Sequence, residues 1–187
     1  MIWKTSHRAD PFSREIADRH YNRQKIGSPQ FVPPGSCAVF KAETATGRAF
    51  WVTSAPFAQY VRHAWAGAWV CSAFRNEGAG VASELIWDAL AASRAALGAP
   101  PALGLVTFIN RRCVRPVKVR GVETWGRTWT RRGFRYVGET KGGLMVLQIL
   151  PADMPEPEAA LGSPLDLFSL AHPSNGLPPN PNEGQPK

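Results

Sequence analysis

The sequence is poor in features that define several common classes of protein. It has three cysteines in 187 residues, Cys37, Cys71 and Cys113, and no two of them form a Cys-x-x-Cys pair. This scarcity argues against a cysteine zinc site and against a disulfide-stapled secreted fold. No run approaches the roughly 18 consecutive apolar residues of a membrane span, and the first residues lack the apolar core of a signal peptide. We therefore expect a cytoplasmic protein that makes no membrane contact.

Acidic residues are also scarce, and the resulting positive charge is concentrated. The chain has 22 Lys and Arg against 14 Asp and Glu, a formal net charge of +8. The interval 111–141 holds ten basic and two acidic residues, so it carries the whole +8. Arginine predominates there, which suits forked contacts with phosphate. A nucleic acid is thus an expected partner, and the predicted nucleic-acid-binding residues are Arg111, Arg112, Arg115, Lys118 and Arg120.

One stretch combines a strand, a glycine turn and a helix. The apolar run Trp69–Phe74 is typical of a buried strand, and Gly78 and Gly80 follow it directly. The pattern over 79–97 then predicts a helix, with Val81, Leu85, Ala89 and Ala92 on one stripe. Glycines before a helix allow backbone N–H groups and the helix N-terminus to approach a phosphate. The alternative is a tight strand-to-helix turn that binds no ligand.

The remaining patterns place helices and strands on both sides of this stretch. Residues 1–35 form a polar N-terminal segment, in which 19–25 is either a solvated helix end or one wall of the site for an acceptor substrate. Pro-rich residues 151–187 are expected to form an extended arm, disordered from about His172. The predicted elements are a helix over 13–24 capped by Ser13, strands over 37–41 and 48–54 around a turn at 45–47, a strand over 102–109, a helix over 122–132, and strands over 134–139 and 143–150.

These elements predict an α/β (α+β) fold with a mixed, mostly antiparallel sheet flanked by helices. We expect one domain over residues 1–150. A basic loop is predicted over 110–121. Trp125 and Trp129 are expected on one face of the following helix, packed into the core. A nucleic-acid surface is the other interpretation of this segment, with the two rings stacking on an exposed base.

The order of elements and two motifs resemble the GNAT superfamily of acyl-CoA transferases. The family motif Arg/Gln-x-x-Gly-x-Gly/Ala is matched by Arg75-Asn76-Glu77-Gly78-Ala79-Gly80, and a late Gly-Phe pair by Gly133-Phe134. The resemblance covers about residues 35–150. It implies a GNAT-like sheet, an acetyl-CoA or other acyl-CoA cofactor, and a pantetheine arm lying along the preceding strand. The implied cofactor-binding residues are Val70, Cys71, Ser72, Ala73, Phe74, Arg75, Asn76, Glu77, Gly78, Ala79 and Gly80.

A narrower resemblance is to phage-encoded GNAT-like proteins of the Mom type, which modify adenine in DNA. It is carried by RHYNR at 19–23, GSPQFVPPG at 27–35, AWAGAWVCSAFRNEG at 64–78 and LGLVTFI at 103–109. It implies DNA as the partner, a bacterial host cell as the location, and an acetamido-type group placed on the adenine amino nitrogen. Iron is implied as a further cofactor. The family's metal ligands cannot be matched in this sequence beyond His20 and Tyr21 as candidates.

Direct acyl transfer needs a base for the acceptor's proton and a donor for the leaving thiolate. The base candidates are His20, Glu84 and Glu77, the last being disfavoured because it lies within the phosphate turn. Tyr21 and Tyr136 are candidates to return a proton. The predicted catalytic residues are His20, Tyr21 and Glu84. His63 is more simply explained as a structural residue.

Two other functions remain open at this level. One is an ordinary N-acetyltransferase for a small amine or a protein, which predicts an acidic acceptor pocket. The other is a non-catalytic nucleic-acid-binding module on the same scaffold, which predicts no binding of acetyl-CoA. If DNA is the acceptor, the base must be extruded from the duplex or presented in a single strand. Some of the arginines could instead bind the 3′-phosphate of coenzyme A.

Overall fold

The computed structural model describes residues 1–57, 61 and 63–163. The expected disorder from His172 and the short apolar run at 165–170 lie outside these residues. The elements in chain order are β1 (Lys4–Ser6), α1 (Pro11–Ala17), β2 (Gly35–Thr44), β3 (Gly47–Pro56), β4 (Trp69–Glu77), α2 (Ala82–Leu97), β5 (Leu105–Ile109), β6 (Val117–Val119), β7 (Val122–Thr124), α3 (Arg127–Thr130), β8 (Arg135–Glu139) and β9 (Met145–Ile149). None of the helices in the described ranges has the length and apolar character needed to cross a membrane.

Within the described residues the fold is a mixed α+β structure dominated by one seven-stranded sheet. The strand order is β1-β2-β3-β4-β5-β9-β8. Every neighbouring pair is antiparallel except β4 and β5. A parallel pair needs a crossover connection, and α2 supplies it. The predicted mostly antiparallel sheet of mixed direction is thus confirmed.

The two faces of the sheet carry separate hydrophobic clusters. Successive residues of β3 alternate between them, with Trp51 in the cluster under α2 and Phe50 and Val52 in the cluster under α1. Because both faces are covered, six consecutive residues of β3 are buried. This is why 48–54 is a nearly continuous apolar run rather than an alternating one. The hairpin predicted at 45–47 joins β2 to β3, since Thr44 pairs with Gly47.

The first helix is shorter than predicted and has a different cap. It ends at Ala17 rather than near Gln24, and the Asp10 carboxylate accepts the backbone N–H of Ser13. Ser13 itself is buried inside the helix, and its hydroxyl donates to the same carboxylate. Since Asp10 satisfies a first-turn donor and Pro11 fills N1, the observed cap lies three residues before the predicted one. Residues 18–34 are irregular.

The central helix confirms the predicted stripe with one exception. Leu85, Ala89 and Ala92 are buried, whereas Val81 is 54% exposed. Val81 has extended φ and ψ angles and occupies the N-cap position, so the helix begins at Ala82. The predicted helix over 79–97 is therefore confirmed with a later start.

The predicted helix over 122–132 is wrong over its first half. Residues 122–124 form β7, which pairs with β6 in a separate two-stranded sheet, and only 127–130 are helical. Positive φ angles at Arg120, Gly121 and Gly126 break the helical path on both sides of β7. Trp125 therefore precedes α3 and does not share a helix face with Trp129 as predicted.

Residues 151–163 lie in the expected Pro-rich arm and return along the domain. After a 3₁₀ turn at Pro151–Asp153, Met154 and Ala160 are buried in the cluster under α2. Leu161 exchanges backbone hydrogen bonds with Trp3 and Thr5 beside β1. This part of the arm therefore contributes to the core.

Candidate active site

The parallel strands β4 and β5 pair at one end and part at the other. Their register runs from Trp69–Leu105 to Cys71–Thr107 and stops there, although β4 stays paired with β3 as far as Asn76. Thr53 faces Cys71 and Val52 faces Ala73, so Ser72 is an extra residue that forms a bulge. Beyond Cys71 the edge of β4 that faces β5 pairs with no strand of the described residues. We call this gap the split.

Three consecutive side chains enter the split from the segment after α1. The Asn22 side-chain amide donates to the Ser72 carbonyl at 2.6 Å, and the Tyr21 hydroxyl donates to the Phe108 carbonyl at 3.2 Å. His20 stacks on Tyr21, with ring centroids 4.6 Å apart. Segment 20–22 therefore bridges the diverging strands. It satisfies backbone carbonyls that the missing strand pairing would otherwise leave open.

Two cavities open at the split. The first, of about 230 Å³, is bordered by Ile109, Val114 and Trp129 on the α3 side. The second, of about 490 Å³, is bordered by Phe31, Val32 and Phe50 on the α1 side. Since these borders belong to the two opposite core clusters, the cavities lie on opposite faces of the sheet. Both are lined by His20, Tyr21, Asn22, Cys71, Ser72, Ala73 and Phe108.

The environment of His20 keeps its imidazole neutral. Burial lowers the pKa of His20 and outweighs the opposing hydrogen bonds with Asn22 and the Phe74 backbone, while the Arg75 charge lowers it further. Nδ1 accepts a long hydrogen bond of 3.3 Å from the Asn22 backbone N–H. A neutral imidazole at neutral pH can accept a proton.

The pKa values of Tyr21 and Cys71 are raised, in contrast to that of His20. Burial is the first cause that raises the pKa of the Tyr21 phenol, so it stays protonated and can donate. Burial also raises the pKa of the Cys71 thiol far above its usual range. Cys71 is therefore not a nucleophile, because the thiolate is the reactive form. A neutral base beside a protonated acid is the pairing that acid–base chemistry requires.

The glycine turn after β4 is closed by its own side chains. Asn76 accepts the Ala79 N–H and donates to the Gly80 carbonyl. Gly78 has φ 92°, and a Cβ there would lie 2.8 Å from the Thr46 carbonyl oxygen. Packing against the β2–β3 turn is thus sufficient to require this glycine. The motif is explained structurally, with or without a ligand.

The helix that follows the turn begins without a side-chain cap among the described residues. An α-helix leaves its first N–H groups without intrahelical partners, and its dipole favours an anion there. This uncapped start retains the property that makes a phosphate site. Arg75, by contrast, is held by Glu77 and by the Arg19 carbonyl.

The predicted cofactor-binding residues fall into two groups in the structure, with the boundary after Phe74. Cys71–Phe74 line the first cavity and Val70 lines the second. Arg75–Gly80 line neither of these cavities. The predicted cofactor-binding residues on β4 therefore lie at the split, while those of the glycine turn lie at its outer end.

Glu77 forms ion pairs with both Arg19 and Arg75 in the turn. Its replacement by glutamine should make the stability of the protein depend less on pH under acidic conditions. Arg19 and Arg75 hold its carboxylate and lower its pKa to about 2, the Arg19 hydrogen bond being the largest cause. A carboxyl with a depressed folded pKa stabilises the fold above its unfolded pKa of about 4.3, and the contribution disappears as the pH falls towards 2. Wild-type Tm should therefore fall more steeply over this window than that of Glu77→Gln.

Thermal unfolding by circular dichroism between pH 5 and 2 checks this expectation. Glu43→Gln is the matched control, because Glu43 is exposed on β2. Its curve should follow the wild type. Parallel curves for wild type and Glu77→Gln would contradict the assignment.

Other predicted catalytic residues lie away from the split. Glu84 is exposed in the first turn of α2 and lines neither cavity, so the structure does not bring it to His20 and Tyr21. Tyr136 is 56% exposed on β8 and lines neither cavity. The His63 ring packs against Phe108, with centroids 5.0 Å apart, which fits a structural role.

The five predicted nucleic-acid-binding residues are all exposed. Arg115 lines the first cavity, and Arg111 pairs with Glu139. Arg132, also in the basic interval, donates to the Ser83 carbonyl and lies over the Trp87 ring, so it joins α3 to α2. Trp129 contacts Phe74, Trp51 and Phe134 in an aromatic cluster. This packing supports the core interpretation of Trp129.

The described residues do not supply a complete metal site. No group of three or more His, Cys, Asp or Glu residues in this part of the chain could hold a metal ion. His20 and Tyr21 offer one nitrogen and one phenolic oxygen, and the Tyr21 hydroxyl is already bonded to Phe108. This donor set does not fit iron, so we derive no step through it.

The comparisons with known proteins leave the family open. No protein-family model, no curated protein and no solved structure matches this chain. The assignment therefore depends on the residues and on their geometry.

Sequence reasoning missed Asn22, Phe108 and Thr107 as site residues. Asn22 lies within the polar run 19–25, which marked the segment but not the residue. Phe108 and Thr107 end an apolar run that predicted only a buried strand. Nothing in that run shows where β5 parts from β4, so no local signal identified them.

Proposed function

We propose that this protein is an acyl-CoA-dependent transferase of the GNAT type that modifies a base amino group in DNA. The observation that carries the proposal is the split, with one cavity on each face of the sheet and shared residues between them. Such an arrangement lets a donor and an acceptor approach the same point from opposite sides. Holding both reactants in line is a major part of catalysis in group transfer.

The first cavity suits the acyl donor. Its wall includes the edge of β4 from Ser72 to Phe74, which pairs with no described strand, and a pantetheine arm would lie along this edge beside the hydrogen bond from Asn22 to the Ser72 carbonyl. Ile109, Val114 and Trp129 supply the apolar opposite wall. The uncapped start of α2 then serves the diphosphate. Coenzyme A would therefore follow β4 outward from the split.

The second cavity suits a flat aromatic acceptor. The partly exposed ring of Phe31 lines it with His20, and the fully buried ring of Phe50 supports Phe31 edge to face, with centroids 5.9 Å apart. Aromatic walls favour stacking on a nucleobase. Its charged lining residues are Arg23 and Lys25, and no described carboxylate lines it. The small-amine alternative predicts an acidic pocket and is therefore not favoured.

Two residues of the split, His20 and Tyr21, can carry out the two proton transfers that acyl transfer requires. The amino nitrogen attacks the thioester carbon, a C–N bond forms and the C–S bond breaks. His20 accepts the proton of the amine, and Tyr21 donates a proton to the leaving thiolate. A base amine is a weak nucleophile because its lone pair is delocalised, so removal of its proton during attack is important.

Mass spectrometry of nucleosides tests this proposal. DNA from bacteria that express the protein should contain a base of increased mass, and DNA from cells that express His20→Gln should not. Calorimetry should show that the purified protein binds acetyl-CoA. Unmodified DNA with intact acetyl-CoA binding would reject the DNA acceptor. Failure to bind acetyl-CoA would favour the non-catalytic module.

A further inference from the structure

The β6–β7 hairpin is a ribbon that stands apart from the main sheet. Its pairs are Val117–Thr124, Lys118–Glu123 and Val119–Val122, and it forms its own two-stranded sheet. Val117 and Thr124, at its root, line the first cavity. The turn at its tip lines neither cavity. The ribbon therefore starts at the split and extends beyond it.

The turn at the tip of this ribbon contains a residue that is uncommon in turns of its type. Arg120 and Gly121 have φ angles of 49° and 83°, the positive values required at both central positions of a type I′ turn. Asparagine or glycine normally occupies the first of these positions, because a longer side chain is strained there. Arg120 instead places a guanidinium at the end of the ribbon. None of the ion pairs between described residues involves Arg120 or Lys118.

The two faces of the ribbon differ in chemistry. Alternation places Val117, Val119, Val122 and Thr124 on one face and Lys118 with Glu123 on the other. Val122 is 66% exposed and Val117 is 48% exposed, so the apolar face is largely uncovered. Arg112 and Arg115 precede the ribbon and Arg127 follows it. An exposed ribbon with methyl groups along one face and cations around it complements a groove walled by phosphates.

We propose, on the basis of the proposed function, that the tip of the β6–β7 ribbon enters the major groove of duplex DNA, while its root stays beside the donor cavity. The major groove is about 12 Å wide and admits a two-stranded ribbon. Arg120 then reaches base edges at the groove floor, the methyl groups of Val119 and Val122 contact thymine methyls, and Arg112, which lines neither cavity, holds a phosphate. The enzyme therefore acts on a base extruded from a duplex and not on a single strand.

Fluorescence anisotropy of labelled DNA tests the ribbon with two complementary variants. Arg120→Asn removes the charge and suits the positive φ, whereas Gly121→Val keeps the charge and disrupts the turn. Each should weaken binding of a 20-base-pair duplex about tenfold, or about 1.4 kcal/mol, and Arg120→Asn should also relax the sequence preference at the contacted base pair. Lys4→Ala, at an exposed position on β1, is the matched charge control and should stay within about twofold.

The outcomes separate this inference from the proposed function. Wild-type duplex affinity in both variants would overturn the ribbon and leave the DNA acceptor intact. Equal binding of single-stranded DNA, or of duplex RNA with its narrow major groove, would also overturn it. Loss of acetyl-CoA binding in Arg120→Asn would instead assign the ribbon to the cofactor. Failure of the wild type to bind any DNA would reject the DNA acceptor itself.

Discussion

Replacement of His20 by glutamine is expected to lower the rate of acyl transfer by about 10²–10⁴-fold, the usual contribution of a positioned general base. Glutamine retains a polar side chain of similar length but cannot accept the proton. The segment that carries it is also held by Asn22 and Tyr21, so the fold and acetyl-CoA affinity should be unchanged. Single-turnover assays with acetyl-CoA and duplex DNA measure the effect.

The pH profile provides a second measurement of His20. Its pKa lies below the usual value of 6.5 because burial disfavours the imidazolium. The wild-type rate should therefore hold as the pH falls to 6.5 and decline only as the imidazole becomes protonated below that. His63→Gln is the control, since burial also lowers the pKa of His63 but its side chain lines neither cavity. A His20→Gln rate within threefold of wild type would contradict the role of base.

Replacement of Trp51 by alanine should cost about 3–5 kcal/mol of unfolding free energy, typical of a truncated buried aromatic residue. Trp51 is fully buried in β3, and its ring contacts Phe74 and Trp129. Its indole N–H donates to the Thr53 hydroxyl, which in turn pairs with Ser93. Alanine would therefore leave a cavity and remove one partner from a buried polar network.

Urea denaturation measures the loss of stability, and the midpoint of unfolding should fall with little change in slope. Trp51→Phe keeps most of the ring volume and should lose less stability than alanine. Trp125→Ala is a useful comparison, because Trp125 is only partly buried and its indole bonds the Val114 carbonyl in the segment before β6. A loss of less than about 1 kcal/mol in Trp51→Ala would contradict this packing account.

Local sequence patterns correctly predicted the elements whose neighbouring residues have a similar degree of burial. The run Trp69–Phe74 and the run ending at Ile109 are strands, as their continuous apolar character indicated. The turn at 45–47 and the antiparallel pairing of the last two strands were also predicted correctly. These successes depended on patterns within a few residues.

The predicted helix over 122–132 failed because backbone angles outweighed side-chain spacing. Trp125 and Trp129 are four residues apart, which suits one helix face, yet Gly126 has φ 69° between them. Arg120 gave no sequence signal for a type I′ turn, since arginine is uncommon there. The ribbon was therefore visible only in the folded chain.

The sequence by itself determined the mostly antiparallel sheet, the strand–turn–helix stretch and the concentration of positive charge over 111–141. The tertiary structure decided where β4 leaves β5, and it brought His20, Tyr21 and Asn22 into that gap from about 50 residues earlier in the chain. It also separated Glu84 from them. The physical reason is that periodicity records which residues are buried, whereas strand register and the docking of an irregular segment depend on contacts between distant residues.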